Sequence, residues 1–443
     1  MARKRLGQWI AAYLIIVALA VQGAMAREMP ERFFPNESAV EAARTEKKRR
    51  EDRHFSYSLL EDGSGIRIDR YYAGLAAEVT VPETLDGYPV REIGAGAFQE
   101  CDLLVSIALS EGIDAIGEGA FRQCAALETV DLPDGLTEIA PFTFWGCKKL
   151  ENISLPDGLV SIGEEAFAYC ASLSAVSLPE GLARIGDFAF SGCNSLKAIS
   201  LPAGLRHVGI NPFFACAALE TFSVPPEHPC FFADGGVLYE KAARTLVAYP
   251  ASRAGRAFAV PEGVAAIGSG AFAGCATLAS VSLPEGLVSI GDLAFYECES
   301  LAAVAVPEGA IPGEMAFAGC TSLESVTLPA SLVSLEEYLF LGCSSLQSID
   351  LPAGLVSIGE GVFHGCALAS IALPQGLLSI DNLAFFGCEQ LESIFLPASV
   401  QDIGEFAFLR CDSLMLTVEP GSYAHRYAME QGIAYLCAGS AGE

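Results

Sequence analysis

The sequence predicts a solenoid of parallel β-strands, built from about fourteen units of 22–23 residues. Thirteen cysteines recur every 22 or 23 residues, apart from one gap of 59 between Cys216 and Cys275. A phenylalanine stands three residues before each of them, and most are followed by a short apolar alternation that ends in Leu-Pro. A fixed period of this length is typical of chains in which each unit stacks only on its neighbours. We therefore expect a right-handed curved rod with parallel strands on one face and short helical turns.

One unit explains how its residues fold. In Leu127–Leu132, apolar Val130 and Leu132 alternate with polar residues, which predicts a short strand with one buried face. Pro133 ends that strand because it has no N–H to donate to a ladder. Gly135 then favours a turn, and the Ala-Phe segment that follows is expected to form a short helical turn. No unit can bury its own apolar side, so stacking closes the core at about 4.8 Å per strand.

The ends of the chain differ from its middle. Arg3, Lys4 and Arg5 precede a short apolar run that ends in Ala24-Met25-Ala26, which is typical of a cleavable export signal. An uncleaved signal anchor is the alternative, but a spanning helix needs about 20 apolar residues. We expect an exported protein that is secreted or held at the cell surface, with the periplasm as another possibility. No second apolar stretch predicts a membrane span after cleavage.

The repeats and their interruptions divide the chain into seven segments. We assign a signal peptide to 1–26, a charged neck (flexible or helical) to 27–54, an N-terminal cap and first repeat to 55–98, repeats to 99–224, a hairpin-like insertion to 225–256, repeats to 257–414, and a C-terminal cap and tail to 415–443.

Three further patterns describe the insertion and the caps. Gly235–Tyr239 and Thr245–Tyr249 flank a short polar link, which predicts a β-hairpin that projects from the rod or is spliced into it. The alternation at Ile66 and Ile68 predicts a strand that caps the N-terminal edge. Residues 422–431 are expected to form a helix between an N-cap serine and a glycine stop, followed by a last strand at 433–436.

Charge and composition exclude several classes of protein. Hydrophobic residues make up 52% of the chain and charged residues 18%, which is too apolar for a disordered protein. The net charge is −28, and the body behind the leader and neck carries 15 basic and 47 acidic residues, or −32. Such a surface repels the phosphates of nucleic acid, so no nucleic-acid partner is expected.

The 15 cysteines raise the question of metal, disulfide or thiol chemistry. Zinc sites need close pairs such as Cys-x-x-Cys, and the sequence has none. Thirteen cysteines instead predict a buried column of mostly free thiols, since parallel side chains in register point the same way. Cys230 and Cys437 depart from the register and are the better candidates for exposed or oxidised thiols. The five histidines are scattered, so neither a catalytic set nor a cofactor is expected.

The sequence resembles the BspA-type leucine-rich repeat family, also called the treponemal class of these repeats. The resemblance is carried by units such as Leu155–Cys170, by the first-repeat motif Asp86–Val90, by the insert motif Gly235–Tyr239 and by the C-terminal motif Ser422–Ala428. It implies a leucine-rich repeat solenoid and a surface-exposed or secreted bacterial protein. Some members are adhesins for host matrix proteins or other cells. The resemblance supplies no ligand and no catalytic residues.

The outward side of the strands is the candidate binding face. Its small and polar side chains would let a partner approach closely, and solenoids commonly bind through such a face. The candidate residues are Glu128, Thr129, Asp131, Glu151, Asn152, Ser154, Lys197, Glu220, Thr221, Glu324, Ser325, Thr327, Gln347, Asp350, Glu392 and Phe395. Two apolar groups are either anchors for a partner or packing: Phe395 with Met415, and Phe231-Phe232 with Tyr239.

These observations suggest three hypotheses for the function of the protein. The favoured one is a non-enzymatic, adhesin-like binding protein that engages an extracellular protein or glycan through the strand face. The alternative is a structural or assembly component of the cell envelope with no specific ligand. An enzyme that uses exposed thiols is the third hypothesis, and the scattered histidines do not support it, since nucleophilic catalysis needs a base in reach.

Overall fold

The structure is a computed structural model that describes residues 49–51, 54–72 and 76–438. Within the compact unit Arg50–Glu443, the described chain is a parallel-strand solenoid of about sixteen turns. The sequence predicted about fourteen, and the difference arises at the caps and the insertion, where turns form without the Phe and Cys signature. The predicted signal peptide and most of the predicted neck lie outside the described residues.

The strands whose outward side was predicted to bind form a first series, which we call the face ladder. Its members follow one another along the stack and form five sheets of two to four parallel strands, for example with Ala198 opposite Thr221 and Ala303 opposite Ser325. The rung at Ile349 keeps the same buried position without forming a strand. The strands are β4 (Glu78–Thr80), β7 (Ser106–Ala108), β9 (Thr129–Asp131), β11 (Asn152–Ile153), β13 (Ala175–Val176), β15 (Ala198–Ser200), β17 (Thr221–Ser223), β21 (Ala257–Ala259), β23 (Ser280–Ser282), β25 (Ala303–Ala305), β27 (Ser325–Thr327), β30 (Ser370–Ala372), β32 (Ser393–Leu396), β34 (Met415–Val418) and β35 (Tyr435–Cys437).

A second series of mostly two-residue strands, which we call the second ladder, follows the Pro-x-Gly-Leu turn of each unit. The repeat pattern did not predict these strands. These strands also pair in parallel, as Ile139 does with Ile162 and Ser357 with Ser379. They are β6 (Tyr88–Ile93), β8 (Ala115–Ile116), β10 (Glu138–Ile139), β12 (Ser161–Ile162), β14 (Arg184–Ile185), β16 (His207–Val208), β20 (Thr245–Ala248), β22 (Ala266–Ile267), β24 (Ser289–Ile290), β26 (Ile311–Pro312), β28 (Ser334–Leu335), β29 (Ser357–Ile358), β31 (Ser379–Ile380) and β33 (Asp402–Ile403).

The Ala-Phe segments close each turn and pair with one another as well. They are hydrogen-bonded turns, in which Cys147 N donates to Phe144 O within the segment at 3.1 Å. Between rungs, Phe121 N donates to Thr143 O and Phe144 N to Ala166 O, at 2.9 and 2.8 Å. The backbone is thus tied to its neighbours on three sides of the solenoid, which satisfies polar groups that would otherwise be buried unpaired.

The core consists of columns of identical side chains. Buried phenylalanine rings stack rung on rung, with centroids 5.3 Å apart between Phe144 and Phe167 and 5.2 Å apart between Phe167 and Phe190. The predicted cysteine column lies beside them, and all thirteen of its thiols are buried outside any disulfide. Each unit contributes little core alone, so the columns provide the apolar burial that stabilises the stack.

The insertion is an antiparallel sheet joined to the second ladder. It consists of β18 (Phe231–Asp234), β19 (Val237–Glu240) and the already named β20. Its first turn is Gly235-Gly236, where both residues have positive φ, as a two-residue hairpin requires. β20 pairs in parallel with β22, so the hairpin is spliced into the stack rather than projecting from it.

The N-terminal cap closes the first end of the stack. There β2 (Phe55–Leu59) and β3 (Ile66–Tyr71) form an antiparallel hairpin, and β3 pairs in parallel with β6. The short strands β1 (Arg49–Glu51) and β5 (Thr84–Leu85) complete the elements at this end. The hairpin covers a sheet edge that would otherwise present unpaired backbone groups.

The C-terminal end carries the described helix α1 (Tyr423–Gln431). Ser422 is its N-cap, as predicted, and accepts a hydrogen bond from His425 N at 3.1 Å. Gly432 ends the helix with φ of 67°, a conformation that favours glycine. The last strand, predicted at 433–436, begins two residues later as β35 and pairs with β34. Among the residues in the structure, no helix has both the length and the apolar character to cross a membrane.

Candidate binding surface

The structure brings the sixteen predicted face residues onto one ladder. They precede or follow the buried central residue of each rung, as Thr129 and Asp131 flank Val130, which is 6% exposed. Fifteen of the sixteen are exposed, and Phe395 is half-buried. Alternation explains positions within a strand, such as Thr129 and Asp131, since neighbouring side chains point to opposite sides of the sheet. Others, such as Glu128, Glu151 and Glu324, are exposed because they lie just before their strands begin.

The face residues fall into two groups separated by the insertion. The first group, from Glu128 to Thr221, lies before the hairpin, and the second, from Glu324 to Phe395, lies after it. Phe222 N donates to Gly236 O at 2.9 Å, so the hairpin turn occupies the rung after β17. The two groups therefore lie on different sheets of the face ladder, and the insertion's glycine turn follows the first of them.

The electrostatic character of this face is acidic. Seven of the sixteen residues are aspartate or glutamate, and Lys197 is the one base among them. Glu128 forms an ion pair with Lys149 at 3.7 Å, between side chains that are both exposed. Such a pair contributes little free energy because water screens it. A partner that covers this face must supply positive charge or many hydrogen-bond donors.

The two predicted apolar groups have different environments. Phe231 and Tyr239 are 3% and 2% exposed, so they pack inside the insertion rather than anchor a partner. Phe232 stacks on Tyr239 with centroids 4.9 Å apart and leaves 40% of its surface exposed. Near the C-terminal end, Met415 is 41% exposed beside half-buried Phe395. Phe232 and Met415 are the apolar side chains of these groups that a partner can reach.

The column thiols have a structural role that the sequence did not reveal. Cys147 Sγ donates to Phe121 O in the preceding rung at 3.2 Å, and eleven column cysteines make this contact at 3.0–3.2 Å. Cys101 and Cys275 each begin a block of repeats and do not make it. The recurrent Phe and Cys thus form one hydrogen-bonded unit between rungs.

Burial also makes most of the column thiols poor nucleophiles, whereas a hydrogen bond with Cys124 lowers the pKa of Cys101 at the start of the column. Burial raises the pKa of Cys147 and of Cys216 to about 12, although a backbone hydrogen bond opposes the rise in each case. The thiolate is the reactive form of cysteine, so a raised pKa suppresses both catalysis and metal binding. Within the residues that the structure covers, no group of three or more His, Cys, Asp or Glu could hold a metal ion.

His228 anchors the insertion. It is 1% exposed, and its Nε2 lies 3.1 Å from Pro202 O, while Nδ1 accepts from Cys230 N and Phe231 N. This pattern requires a neutral ring with the proton on Nε2. Burial accordingly lowers the pKa of His228, and the charges of Arg206 and Lys241 add to the effect.

A small cavity lies at the junction between the first block of repeats and the insertion. It is lined by Asn211, Phe214, Tyr249 and Ser269 among others, and its volume is about 10 Å³. That is room for about one water molecule. Asn211 is 6% exposed, and neither its amide oxygen nor its amide nitrogen has a hydrogen-bond partner. The cavity is too small for an organic substrate.

Two series of parallel strands, buried columns of identical side chains and an exposed strand face together define a leucine-rich repeat solenoid. A family model described as the BspA type leucine-rich repeat region matches residues 91–220, 252–312 and 310–424, in six copies. The chain therefore belongs to the BspA-type leucine-rich repeat family. No curated protein matches it.

Solved structures of similar chains agree with this assignment. A leucine-rich cell surface protein from Faecalibacterium prausnitzii is 30% identical, with a TM-score of 0.57, over 86% of this chain and 97% of that one. A leucine-rich repeat protein from Eubacterium ventriosum is 22% identical, covering 81% and 93%, with a TM-score of 0.60. The pneumococcal vaccine antigen PcpA is 20% identical, covering 88% and 98%, with a TM-score of 0.63. The last two support the fold alone.

Proposed function

We propose that this chain is a non-enzymatic, secreted or cell-surface protein that binds an extracellular protein or glycan through its face ladder. Family membership supports a role in protein interaction, and the Faecalibacterium relative is described as a cell surface protein. The observation that carries the proposal is the exposure of fifteen of the sixteen face residues along one ladder of small and polar side chains.

The shape of the face favours a macromolecular partner over a small molecule. Residues such as Ser280, Ala303 and Ser370 are exposed and carry short side chains, so the ladder offers a broad surface without a deep pocket. Small ligands bind in concave cavities of about 300 Å³ or more, whereas protein interfaces bury about 800 Å² on each partner. A surface that extends over many rungs meets the second requirement.

The test is a binding screen with the full chain against purified extracellular-matrix proteins and a glycan array. Ser154→Arg and Thr327→Arg place bulky side chains on the two stretches of the face. Ala353→Arg is the matched control, because Ala353 is exposed in a turn outside the ladder. At least one face variant should weaken binding tenfold or more, and the control should stay within twofold.

Two results would count against this proposal. Absence of any ligand at micromolar concentration, together with concentration-dependent self-association in light scattering, would favour the envelope assembly role. Binding by both face variants within twofold of the wild type would show that the partner contacts another surface, and an equal loss in Ala353→Arg would show that the loss does not depend on the face.

A further inference from the structure

The second ladder carries an exposed apolar column in the C-terminal block of repeats. Val288, Val333, Val356 and Leu378 occupy the same position of their units. In the unit between Val288 and Val333 that position is buried Ala310, and the exposed apolar residue is Ile311, one position along and opposite Ser289. Their exposed fractions lie between 40% and 62%. Single exposed apolar residues are ordinary, but five in consecutive rungs form a continuous patch, and such patches mark binding surfaces.

An acidic row runs parallel to the apolar column. It consists of Asp292, Glu314, Glu336, Glu360 and Asp381, one in each of the same five rungs and three or four residues further along the chain. All five are at least partly exposed. In each rung the residues between the two rows are a buried isoleucine, leucine or proline together with serine, glycine or both. No bulky exposed side chain separates the rows, so one ligand can reach both.

The acidic row is crowded with like charges. Burial, together with the neighbouring carboxylates of Asp292, Glu337 and Glu336, raises the pKa of Glu314 to about 7. Burial likewise raises the pKa of Asp381, with Asp402 and Glu360 adding to it. A cation brought to this row would relieve both the repulsion and the lost hydration.

Almost the whole C-terminal block of repeats has no lysine or arginine to balance its acidic charge. Residues 257–409 contain 17 aspartates and glutamates and neither lysine nor arginine. A second copy of the chain would bring two acidic rows together, which costs free energy. Anionic lipid and nucleic acid are repelled for the same reason. A partner that fits this surface therefore carries positive charge beside a strip of apolar side chains.

The spacing of the rungs is close to the pitch of a helix. Paired strands of the second ladder repeat at about 4.8 Å, and the stacked rings of the core in this block repeat at 5.3 to 5.9 Å. The pitch of an α-helix is about 5.4 Å. A helix laid along the stack therefore presents about one apolar side chain to each rung, with flanking basic residues over the acidic row.

From these features we infer that the double row formed by the apolar column and the acidic row is a docking surface for a basic amphipathic helix of a partner protein. This surface lies on the second ladder and is distinct from the face ladder. An interface of four helical turns, or about 15 residues, spans the five rungs.

The test measures binding of a fluorescent 15-residue amphipathic helix of leucine and lysine to the full chain. Control peptides are a scrambled sequence of the same composition and a leucine–glutamate analogue. The amphipathic peptide should bind at least tenfold more tightly than the scrambled one. Binding should weaken at 0.5 M salt, and the acidic analogue should not bind.

Variants of the protein locate the site. The triple variant Val288→Ser, Val333→Ser and Val356→Ser should lose at least tenfold in affinity. Val333→Lys, which repels the peptide without truncating a side chain, should also lose at least tenfold. Val160→Ser is the matched control, because Val160 is 47% exposed at the same position of an earlier unit, between Thr137 and Ala183. It should stay within twofold.

Three outcomes would overturn the inference. The scrambled peptide could bind as tightly as the amphipathic one, which would reduce the effect to charge alone. Val333→Lys and the triple variant could bind as the wild type does. Light scattering could reveal a dimer that the triple variant abolishes, which would identify a second copy as the occupant.

Discussion

Replacement of Phe317 by alanine tests whether the phenylalanine column stabilises the stack. Its ring is fully buried between Phe295, at 5.3 Å, and Phe340, at 5.8 Å. The neighbouring rungs cannot close the gap freely, because Phe317 N donates to Leu339 O at 3.1 Å and Cys343 Sγ donates to Phe317 O at 3.2 Å. Phe→Ala in a core costs about 3–5 kcal/mol, and poor relaxation favours the upper half of that range. We expect a loss of about 4 kcal/mol.

The assay is urea unfolding followed by far-ultraviolet circular dichroism. Phe406→Ala is the matched control, since Phe406 is 59% exposed one unit from the end of the repeats. It should lose less than about 0.5 kcal/mol, as surface substitutions do. A loss below about 1 kcal/mol for Phe317→Ala, or an equal loss for both variants, would refute the reasoning that stacked rings hold the rungs together.

Three further predictions concern thiols, glycine and pH. Cys230 is half-buried while the column thiols are buried, so Cys230→Ser should remove about one thiol from the fast phase of Ellman's reaction at pH 8; a fast phase containing most thiols would contradict burial. Gly163→Ala should cost about 1–3 kcal/mol in urea unfolding, because a Cβ there lies 2.6 Å from Pro141 N, whereas Gly135→Ala, with open space, should be near neutral. The raised pKa of Glu314, about 7 against an ordinary 4.5, means that the folded state retains a proton that the unfolded state releases. Stability should therefore fall as pH rises from about 4.5 to 7, and Glu314→Gln should gain about 1 kcal/mol at pH 8 after allowance for its partial exposure; an unchanged pH profile would contradict this.

The repeating core could be predicted from the sequence because the same buried side chains are needed at the same position of successive units. Each of the thirteen units with this signature places a ring, a thiol and aliphatic side chains at the same height, so Phe98, Phe121 and Cys124 recur in register and reveal the stack. The helix at 423–431 was predictable for a different reason. Ser422 and Gly432 are local signals whose chemistry does not depend on the rest of the fold.

The second ladder was not predicted because its strands are mostly two residues long. Alternation cannot be recognised over so short a run. The signal that could have revealed it is the glycine that often follows the buried isoleucine. In Gly163 and Gly186, an added Cβ would lie 2.6 Å from a backbone nitrogen of the previous rung, so close parallel pairing requires glycine there. The number of turns was underestimated because the caps and the insertion form rungs without this signature.

Outward-facing side chains do not pack in the core, so stacking does not determine which residues stand there. The repeat pattern therefore does not indicate which outward-facing residues bind a partner. Stacking needs nothing of Val160 or Val333 beyond a side chain that tolerates water, and the equivalent Thr137 meets that need with a polar group. An apolar residue held at this position over consecutive rungs therefore has no explanation in folding. The same holds for a block of 17 acidic residues without one lysine or arginine, since self-repulsion destabilises the compact state. Both features oppose the stability or solubility of the isolated chain, and both become favourable when a basic apolar surface covers them.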